Sequence, residues 1–142
     1  MWHENCSITF LTKLMTKKIL VVDDIGEYAS VFEMYFPDDA VCLGAKSVEE
    51  AKAVFAEHAG RGAISLAIVD VRLNEGVVSD SSGMGLLSWI RERHPGTPVI
   101  MMSAYQGFEY EMEALERGAF CFLRKPLQPE VVKDALRRAL AA

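Results

Sequence analysis

The chain has 142 residues, of which 51% are hydrophobic and 25% charged, a composition that predicts one globular domain and excludes a disordered chain. Its 15 basic and 20 acidic residues give a net charge of −5, and the basic residues are scattered, which argues against direct nucleic-acid binding. The three cysteines are far apart and no apolar run reaches the roughly 20 residues of a membrane helix. We therefore expect a cytoplasmic protein without disulfides, a zinc site or a membrane span.

The first sixteen residues differ from the rest of the chain, and we predict that residues 1–16 form a loose N-terminal tail. The alternative is a small docking helix, because Ile8, Leu11 and Met15 have helical spacing. On either interpretation, the folded domain is expected to span residues 17–142.

From residue 19 onward, short apolar runs alternate with amphipathic segments. The runs are continuously apolar, which is typical of a parallel sheet covered by helices on both faces. A capping box from Ser47 to Glu50 predicts the start of the second helix, and Pro129 suits the first turn of the last one. The predicted strands are Ile19–Val22, Val41–Leu43, Ile64–Val69, Pro98–Met102 and Ala119–Leu123. The other predicted helices are Glu27–Phe36, Met84–Arg93, Phe108–Arg117 and Pro129–Leu140.

Polar side chains follow four of these strands. They are Asp23 with Asp24, then Asp70, Ser103 and Lys125. Because sites in open parallel sheets form beyond the carboxyl ends of the strands, we expect these side chains to converge. Three carboxylates repel one another, and an oxygen-rich acidic site suits Mg²⁺. A carboxylate nucleophile, a hydroxyl and an ammonium group beside such a metal ion suit the handling of a phosphoryl group.

Four motifs at these strand ends resemble those of the response-regulator receiver domains of two-component signalling. The motifs are Lys18-Ile19-Leu20-Val21-Val22-Asp23-Asp24, Ile68-Val69-Asp70, Met101-Met102-Ser103-Ala104 and Phe122-Leu123-Arg124-Lys125-Pro126. The match covers about residues 17–140. It implies a flavodoxin-like, doubly wound α/β fold with five parallel strands in the order 2-1-3-4-5. It also implies a switch with intrinsic self-phosphorylation and autodephosphorylation chemistry, which is not a turnover enzyme.

The resemblance implies a role for each matching residue. Asp70 would be the phosphoacceptor and would take a phosphoryl group from the phosphohistidine of a sensor histidine kinase or a phosphotransfer protein. Ser103 and Lys125 would contact the phosphoryl oxygens, and Phe122 would swing inward as Ser103 moves. The Lys125–Pro126 peptide bond is expected to be cis.

The cofactor implied by the resemblance is Mg²⁺, or Mn²⁺ in its place. Asp24 would bind the metal ion directly and Asp23 largely through water, Asp70 would supply a further carboxylate, and Arg72 would supply its backbone carbonyl. Arg72 and Tyr105 also occupy the two positions that tune autodephosphorylation in this family. We expect these two large side chains to restrict water and to lengthen the phosphorylated lifetime.

The loop Asn74–Ser82 is longer than the family pattern, with Gly76 to Ser81 as the additional residues. Ser82-Gly83 is the equivalent of the small-Gly pair that usually follows sooner. We interpret the additional residues as an idle insertion, since surface loops tolerate extra length at small cost. A lid over the site is the alternative.

Three other functions compete with the phosphorylated switch. The first is a pseudo-receiver that binds partners without phosphorylation. A phosphatase of the haloacid dehalogenase type is disfavoured, because Arg72 stands where such enzymes usually place a second Asp. A flavin-binding protein is disfavoured, because Asp23-Asp24-Ile25-Gly26 does not form a phosphate-binding loop.

The readout face of the family lies on the fourth helix, fifth strand and fifth helix, here Phe108–Arg117, Ala119–Leu123 and Pro129–Leu140. Its expected occupants are a downstream protein target, an output domain or a second copy of the chain in a homodimer. The chain has no room for a DNA-binding output domain. We therefore expect a stand-alone receiver or the receiver of a longer regulator, with no direct contact to nucleic acid or membrane.

Overall fold

A computed structural model of the chain describes residues 16–58, 63–74 and 80–142. Residues 1–15 of the predicted tail 1–16, which include the alternative docking helix, lie outside these ranges. The described residues form five strands and five helices in strict alternation. In chain order they are β1 (Lys17–Val22), α1 (Glu27–Glu33), β2 (Ala40–Ala45), α2 (Val48–Glu57), β3 (Leu66–Asp70), α3 (Ser82–Arg93), β4 (Val99–Ser103), α4 (Glu109–Glu116), β5 (Cys121–Arg124) and α5 (Pro129–Ala141).

The strands form one parallel sheet in the order β2-β1-β3-β4-β5, so the predicted fold class and strand order are confirmed. The register aligns the carboxyl ends of the strands. Val22 pairs with Val69, Asp70 with Met102, and Ser103 with Arg124. Residues that follow the strands are therefore brought to one edge of the sheet.

Helices cover both faces of the sheet and enclose two cores. One core lies under α2, α3 and α4, and the other lies under α1 and α5. Successive residues of a strand point to opposite faces, so Leu20 and Val22 enter the first core while Ile19 and Val21 enter the second. This double burial explains why the strands are continuously apolar.

Local signals set the helix boundaries. Ser47 Oγ accepts the Glu50 N–H at 3.1 Å, as the capping box predicts, while the Glu50 carboxylate accepts the N–H of Lys46 at 2.6 Å. The first helix ends at Glu33, three residues earlier than predicted. Residues 34–36 form a tighter turn there, because Pro37 disfavours helical geometry in the residue before it.

Among the described residues, no helix combines the length and the apolar character that a membrane crossing requires.

Candidate functional site

Buried polar residues collect at the carboxyl edge of the sheet. Asp23, Asp70, Ser103 and Lys125 are all buried there, and each ends or directly follows a strand. Burial of a charged group costs free energy unless the group is paired. Three buried ionisable groups at one edge therefore indicate a chemical role, since such groups collect at functional sites.

The centre of the site is an ion pair between two strand ends. Lys125 Nζ lies 2.5 Å from Asp70 Oδ2, and only 9% of the lysine side chain is exposed. The other oxygen, Asp70 Oδ1, accepts the backbone N–H of Arg72 at 3.0 Å. The Lys125–Pro126 peptide bond is cis, as predicted. The Asp70 carboxylate is thus oriented by one ammonium group and one backbone donor.

Burial and neighbouring charges together shift the pKa values of both members of the ion pair. Burial raises the pKa of Asp70, and the Asp23 carboxylate adds to this effect, while Lys125 and the Arg72 N–H oppose it. Burial alone would lower the pKa of Lys125, but the hydrogen bond and charge of Asp70 outweigh burial and raise it. Both groups therefore hold a proton more tightly than in water, Asp70 chiefly because it is buried and Lys125 because it is paired with Asp70.

The turn from β1 into α1 carries the other two carboxylates. Asp23 is buried, and its two oxygens accept the N–H groups of Ile25 at 3.4 Å and Tyr28 at 3.3 Å. Gly26 lies in this turn with a φ of 81°, a left-handed conformation that glycine adopts without steric cost. Asp24, beside it, is half-buried.

The donors at this edge are oxygen atoms, which suits a hard cation such as Mg²⁺. The effect of Asp23 on the pKa of Asp70 places these two carboxylates within electrostatic reach of each other. In the described ranges, no three acidic, histidine or cysteine side chains are gathered as a metal-binding group. Because Mg²⁺ takes one or two carboxylates and keeps several waters, the residues present fit a partly hydrated ion.

Ser103 and Phe122 occupy neighbouring strands. Ser103 is buried at the end of β4, and its Oγ accepts the Tyr105 N–H at 3.0 Å. Phe122 pairs with Met101 in the sheet register and is half-buried against the core under α2, α3 and α4. The structure thus brings Ser103 to the carboxyl edge, whereas Phe122 lies further back along its strand.

The two residues predicted to tune the lifetime contact the site through their backbones. Arg72 donates its N–H to Asp70, and Tyr105 donates its N–H to Ser103. The Tyr105 side chain is 45% exposed, and its ring packs edge-on against Tyr110 of α4 with 5.1 Å between ring centres. Their effect on hydrolysis stays a prediction.

Arg124 connects β5 to the loop before α4 through its guanidinium group. The sequence alone predicted no role for this residue. Its guanidinium donates to three backbone carbonyls and to one carboxylate. The acceptors are Tyr105 at 3.3 Å, Gln106 at 3.1 Å, Gly107 at 3.1 Å and Glu111 Oε2 at 3.0 Å. The only signal in the sequence was a second basic residue directly before Lys125.

Tyr28 was also missed. Its ring centre lies 4.2 Å from Lys125 Nζ. Its position in the sequence could have indicated this contact. A helix that starts three residues after Asp24 places its first turn beside the carboxyl edge.

The loop Asn74–Ser82 is closed at its base by one side chain. Asp80 Oδ2 accepts the N–H groups of Leu73 at 2.9 Å and Asn74 at 3.1 Å, and the hydroxyl of Ser82 at 2.8 Å. Residues 75–79 of the predicted insertion lie outside the described ranges. Gly83 follows, and a Cβ atom there would collide with the backbone carbonyl of Asp70. This close approach explains the glycine of the Ser82-Gly83 pair.

The sequence profile of the response regulator receiver domain family matches residues 19–137. The response regulator protein PilR of Pseudomonas aeruginosa is 35% identical over 126 residues, which cover 85% of this chain and 26% of PilR. The nitrogen assimilation regulatory protein NtrX of Azorhizobium caulinodans is 30% identical over 126 residues, which cover 89% of this chain and 26% of NtrX. The chain therefore spans about a quarter of the length of these relatives.

Solved structures are similar as well. The receiver domain of NtrX from Brucella abortus is 30% identical and superposes with a TM-score of 0.73, covering 87% of this chain and 98% of that domain. A response regulator from Thermotoga maritima has a TM-score of 0.76 at 22% identity, covering 90% of this chain and 100% of that protein. The second similarity supports the fold alone.

Proposed function

Because this chain belongs to the response regulator receiver domain family, whose members are signalling switches of two-component systems, we propose that Asp70 is its phosphoacceptor. The donor is the phosphohistidine of a sensor histidine kinase or a phosphotransfer protein. The proposed receiver unit spans residues 17–142, with residues 1–16 as a tail, and it acts in the cytoplasm. The buried ion pair of Asp70 and Lys125 carries the proposal.

The geometry of this pair suits nucleophilic attack by a carboxylate. An oxygen of Asp70 attacks phosphorus and forms an acyl phosphate, while the bond from phosphorus to the donor histidine nitrogen breaks. That nitrogen leaves with the electron pair. Lys125 then exchanges its contact with the carboxylate for one with a phosphoryl oxygen, so positive charge stays beside the transferred group throughout the reaction.

The proposed direct metal ligands are the carboxylates of Asp24 and Asp70 and the backbone carbonyl of Arg72, with Asp23 binding largely through water. When bound there, Mg²⁺ supplies positive charge that neutralises the phosphoryl oxygens. The carboxyl edge buries two carboxylates, Asp23 and Asp70, with one ammonium group, Lys125, and this excess of negative charge supports a cation site.

The response to phosphorylation starts at Ser103. Its hydroxyl, which now accepts the Tyr105 N–H, would rotate to donate to a phosphoryl oxygen, and Phe122 would follow inward. Only contacts that differ between the two states can shift their equilibrium, and the new dianionic group provides such contacts.

Receiver domains act through histidine kinases and output domains, and the proposed readout face here is formed by α4, β5 and α5. Three large apolar side chains of this face are exposed: Phe108 at 68%, directly before α4, and Met112 at 61% and Leu115 at 49%, both on α4. We propose that an output domain or a separate protein target covers them. A second copy of the chain is the other occupant to test, by measuring mass in solution before and after phosphorylation.

We also propose that Arg72 and Tyr105 slow hydrolysis of the acyl phosphate by restricting the approach of water. Tyr105→Ala should then shorten the phosphorylated lifetime, measured as loss of the phosphoryl adduct after removal of the donor. Tyr110→Ala, which removes the ring packed against Tyr105, is the matched control. An unchanged lifetime in Tyr105→Ala would refute this role.

The phosphoacceptor is tested by intact mass after incubation with Mg²⁺ and phosphoramidate. The parent should gain one phosphoryl group, and the gain should disappear in Asp70→Asn and without Mg²⁺. Asp80→Asn is a matched control, because Asp80 is a nearby acidic residue whose carboxylate oxygen is engaged by the loop. Absence of the adduct in the parent, under conditions that label another receiver, would favour the pseudo-receiver.

A further inference from the structure

Tyr28, in the first turn of α1, contacts two buried charged residues of the carboxyl edge, Lys125 and Asp23. Lys125 Nζ lies 4.2 Å from the centre of the Tyr28 ring, a distance at which the face of an aromatic ring attracts a cation. The backbone N–H of Tyr28 donates to Asp23 Oδ2 at 3.3 Å. One residue therefore joins the turn after β1 to the ammonium group that follows β5.

The buried ammonium has two neighbours of different character. Asp70 Oδ2 is a charged partner at 2.5 Å, and phosphorylation of Asp70 must rearrange this contact. The Tyr28 ring is a neutral partner on another element, and the transferred group does not replace it. An electron-rich ring face offsets part of the cost of burying the ammonium without binding it covalently or adding negative charge.

We propose that Tyr28 is a positioning residue for Lys125, whose ring holds the ammonium in the site while its polar partner changes from the Asp70 carboxylate to a phosphoryl oxygen. The inference deepens the proposed phosphoryl transfer and rests on it. Tyr28 acts through Lys125, because no contact between its ring and the Asp70 carboxylate is needed.

The same part of the chain offers a matched control. Tyr35 lies just beyond α1, and its ring centre is 5.7 Å from Lys133 Nζ, on α5. This pair is also a cation–π contact between a lysine and a tyrosine, but Lys133 lies away from the carboxyl edge and its side chain is 56% exposed. Tyr35→Met therefore removes a comparable ring without changing the site.

The kinetic test compares Tyr28→Met, Tyr28→Phe and Tyr35→Met with the parent. The observed quantity is the rate of phosphoryl adduct formation from phosphoramidate with Mg²⁺, over a range of donor concentrations. Tyr28→Met removes the ring and should slow the saturating rate by about threefold to thirtyfold, the range expected from loss of one cation–π contact. Tyr28→Phe keeps the ring and should react like the parent, as should Tyr35→Met.

Three outcomes would overturn the proposal. Tyr28→Met could react at the parental rate, which would leave the ring without a role. Tyr28→Phe could be as slow as Tyr28→Met, which would assign the effect to the hydroxyl. Tyr35→Met could be equally slow, which would indicate a general loss of packing.

A spectroscopic measurement separates this inference from the proposed function. Protons above an aromatic ring resonate at lower chemical shift, so the ε-methylene protons of Lys125 should be shifted upfield in the parent and in Tyr28→Phe. The shift should vanish in Tyr28→Met. If the parent takes no phosphoryl group, the proposed function fails, but this pattern would still support the contact. An unshifted Lys125 in the folded parent would overturn the inference in either case.

Discussion

The two edges of the sheet bury different polar groups. Among the described residues, the buried polar residue at the amino edge is Thr97, whose hydroxyl donates to the Ile64 carbonyl at 2.9 Å. At the carboxyl edge, the buried polar residues include two carboxylates and an ammonium group, and the pKa of Asp70 is raised by burial. A neutral hydroxyl with a carbonyl partner stabilises the fold. Unbalanced buried charge works against stability, so its presence indicates selection for chemistry.

The largest expected effect is a difference in stability between variants of the two members of the ion pair, Lys125 and Asp70. Lys125→Met should lower the free energy of unfolding by about 3 kcal/mol, because it leaves Asp70 buried beside Asp23 without a cation. Asp70→Asn should cost much less, because it relieves the excess negative charge. Urea unfolding at pH 7 measures both. Equal losses of unfolding free energy in the two variants would contradict an excess of negative charge at the carboxyl edge. The carboxyl edge would then resemble the amino edge, where the buried polar group stabilises the fold.

A second variant tests whether a charged residue near the carboxyl edge can be purely structural. Arg124→Met removes four hydrogen bonds that fasten the loop before α4, and should lower the free energy of unfolding by about 2 kcal/mol. Amide exchange at Gln106 and Gly107 should accelerate, while Asp70 should still accept a phosphoryl group. Loss of phosphorylation in a folded Arg124→Met would assign this arginine to the site.

The amino edge supplies the converse test. Thr97→Val preserves the shape of the side chain but removes the donor to the Ile64 carbonyl, and should cost roughly 1 kcal/mol of stability. The rate of phosphoryl adduct formation should stay at the parental value. A slower rate at full folding would mean that the two edges are coupled through β3 and β4.

The smallest expected effect is the dependence of stability on alkaline pH. The pKa of Lys125 is raised above the ordinary lysine value of 10.5. The stability that this group contributes is therefore complete below pH 10.5 and is lost as the pH rises through the raised value. The difference in free energy of unfolding between the parent and Lys125→Met should be constant from neutral pH to about pH 9.5 and should shrink above pH 10.5. A difference in free energy of unfolding that grows above pH 10.5 would contradict a raised pKa of Lys125.

The sequence predicted the sheet and the carboxyl edge because both depend on local patterns. Continuous apolar runs are expected wherever a strand is buried on two faces, and parallel strands place the residues that follow them at one edge. Asp23, Asp70, Ser103 and Lys125 could be predicted together for this reason. The end of α1 was predicted three residues too late, because residues 34–36 keep apolar character after the helix has tightened into a turn.

The contacts of Tyr28 and Arg124 could not be predicted in the same way. Each depends on where the far end of a long side chain lies relative to an element distant in sequence. Tyr28 meets Lys125 across the edge of the sheet, and Arg124 reaches the carbonyls of the loop before α4. Side-chain spacing within one element does not determine such contacts, because they require the relative positions of packed helices and strands.

The closure of the long loop by Asp80 has a consequence for protein engineering. This carboxylate accepts hydrogen bonds from the N–H groups of Leu73 and Asn74 and from the hydroxyl of Ser82, so it joins the two ends of the loop. Each doubling of the connecting length then costs only about 0.6 kcal/mol of closure entropy. Because Gly83 packs on the Asp70 carbonyl directly after this closure, a fluorescent peptide grafted between residues 74 and 80 would be anchored close to Asp70, the proposed phosphoacceptor. The loop is therefore the natural insertion point for a reporter of this protein's signalling state.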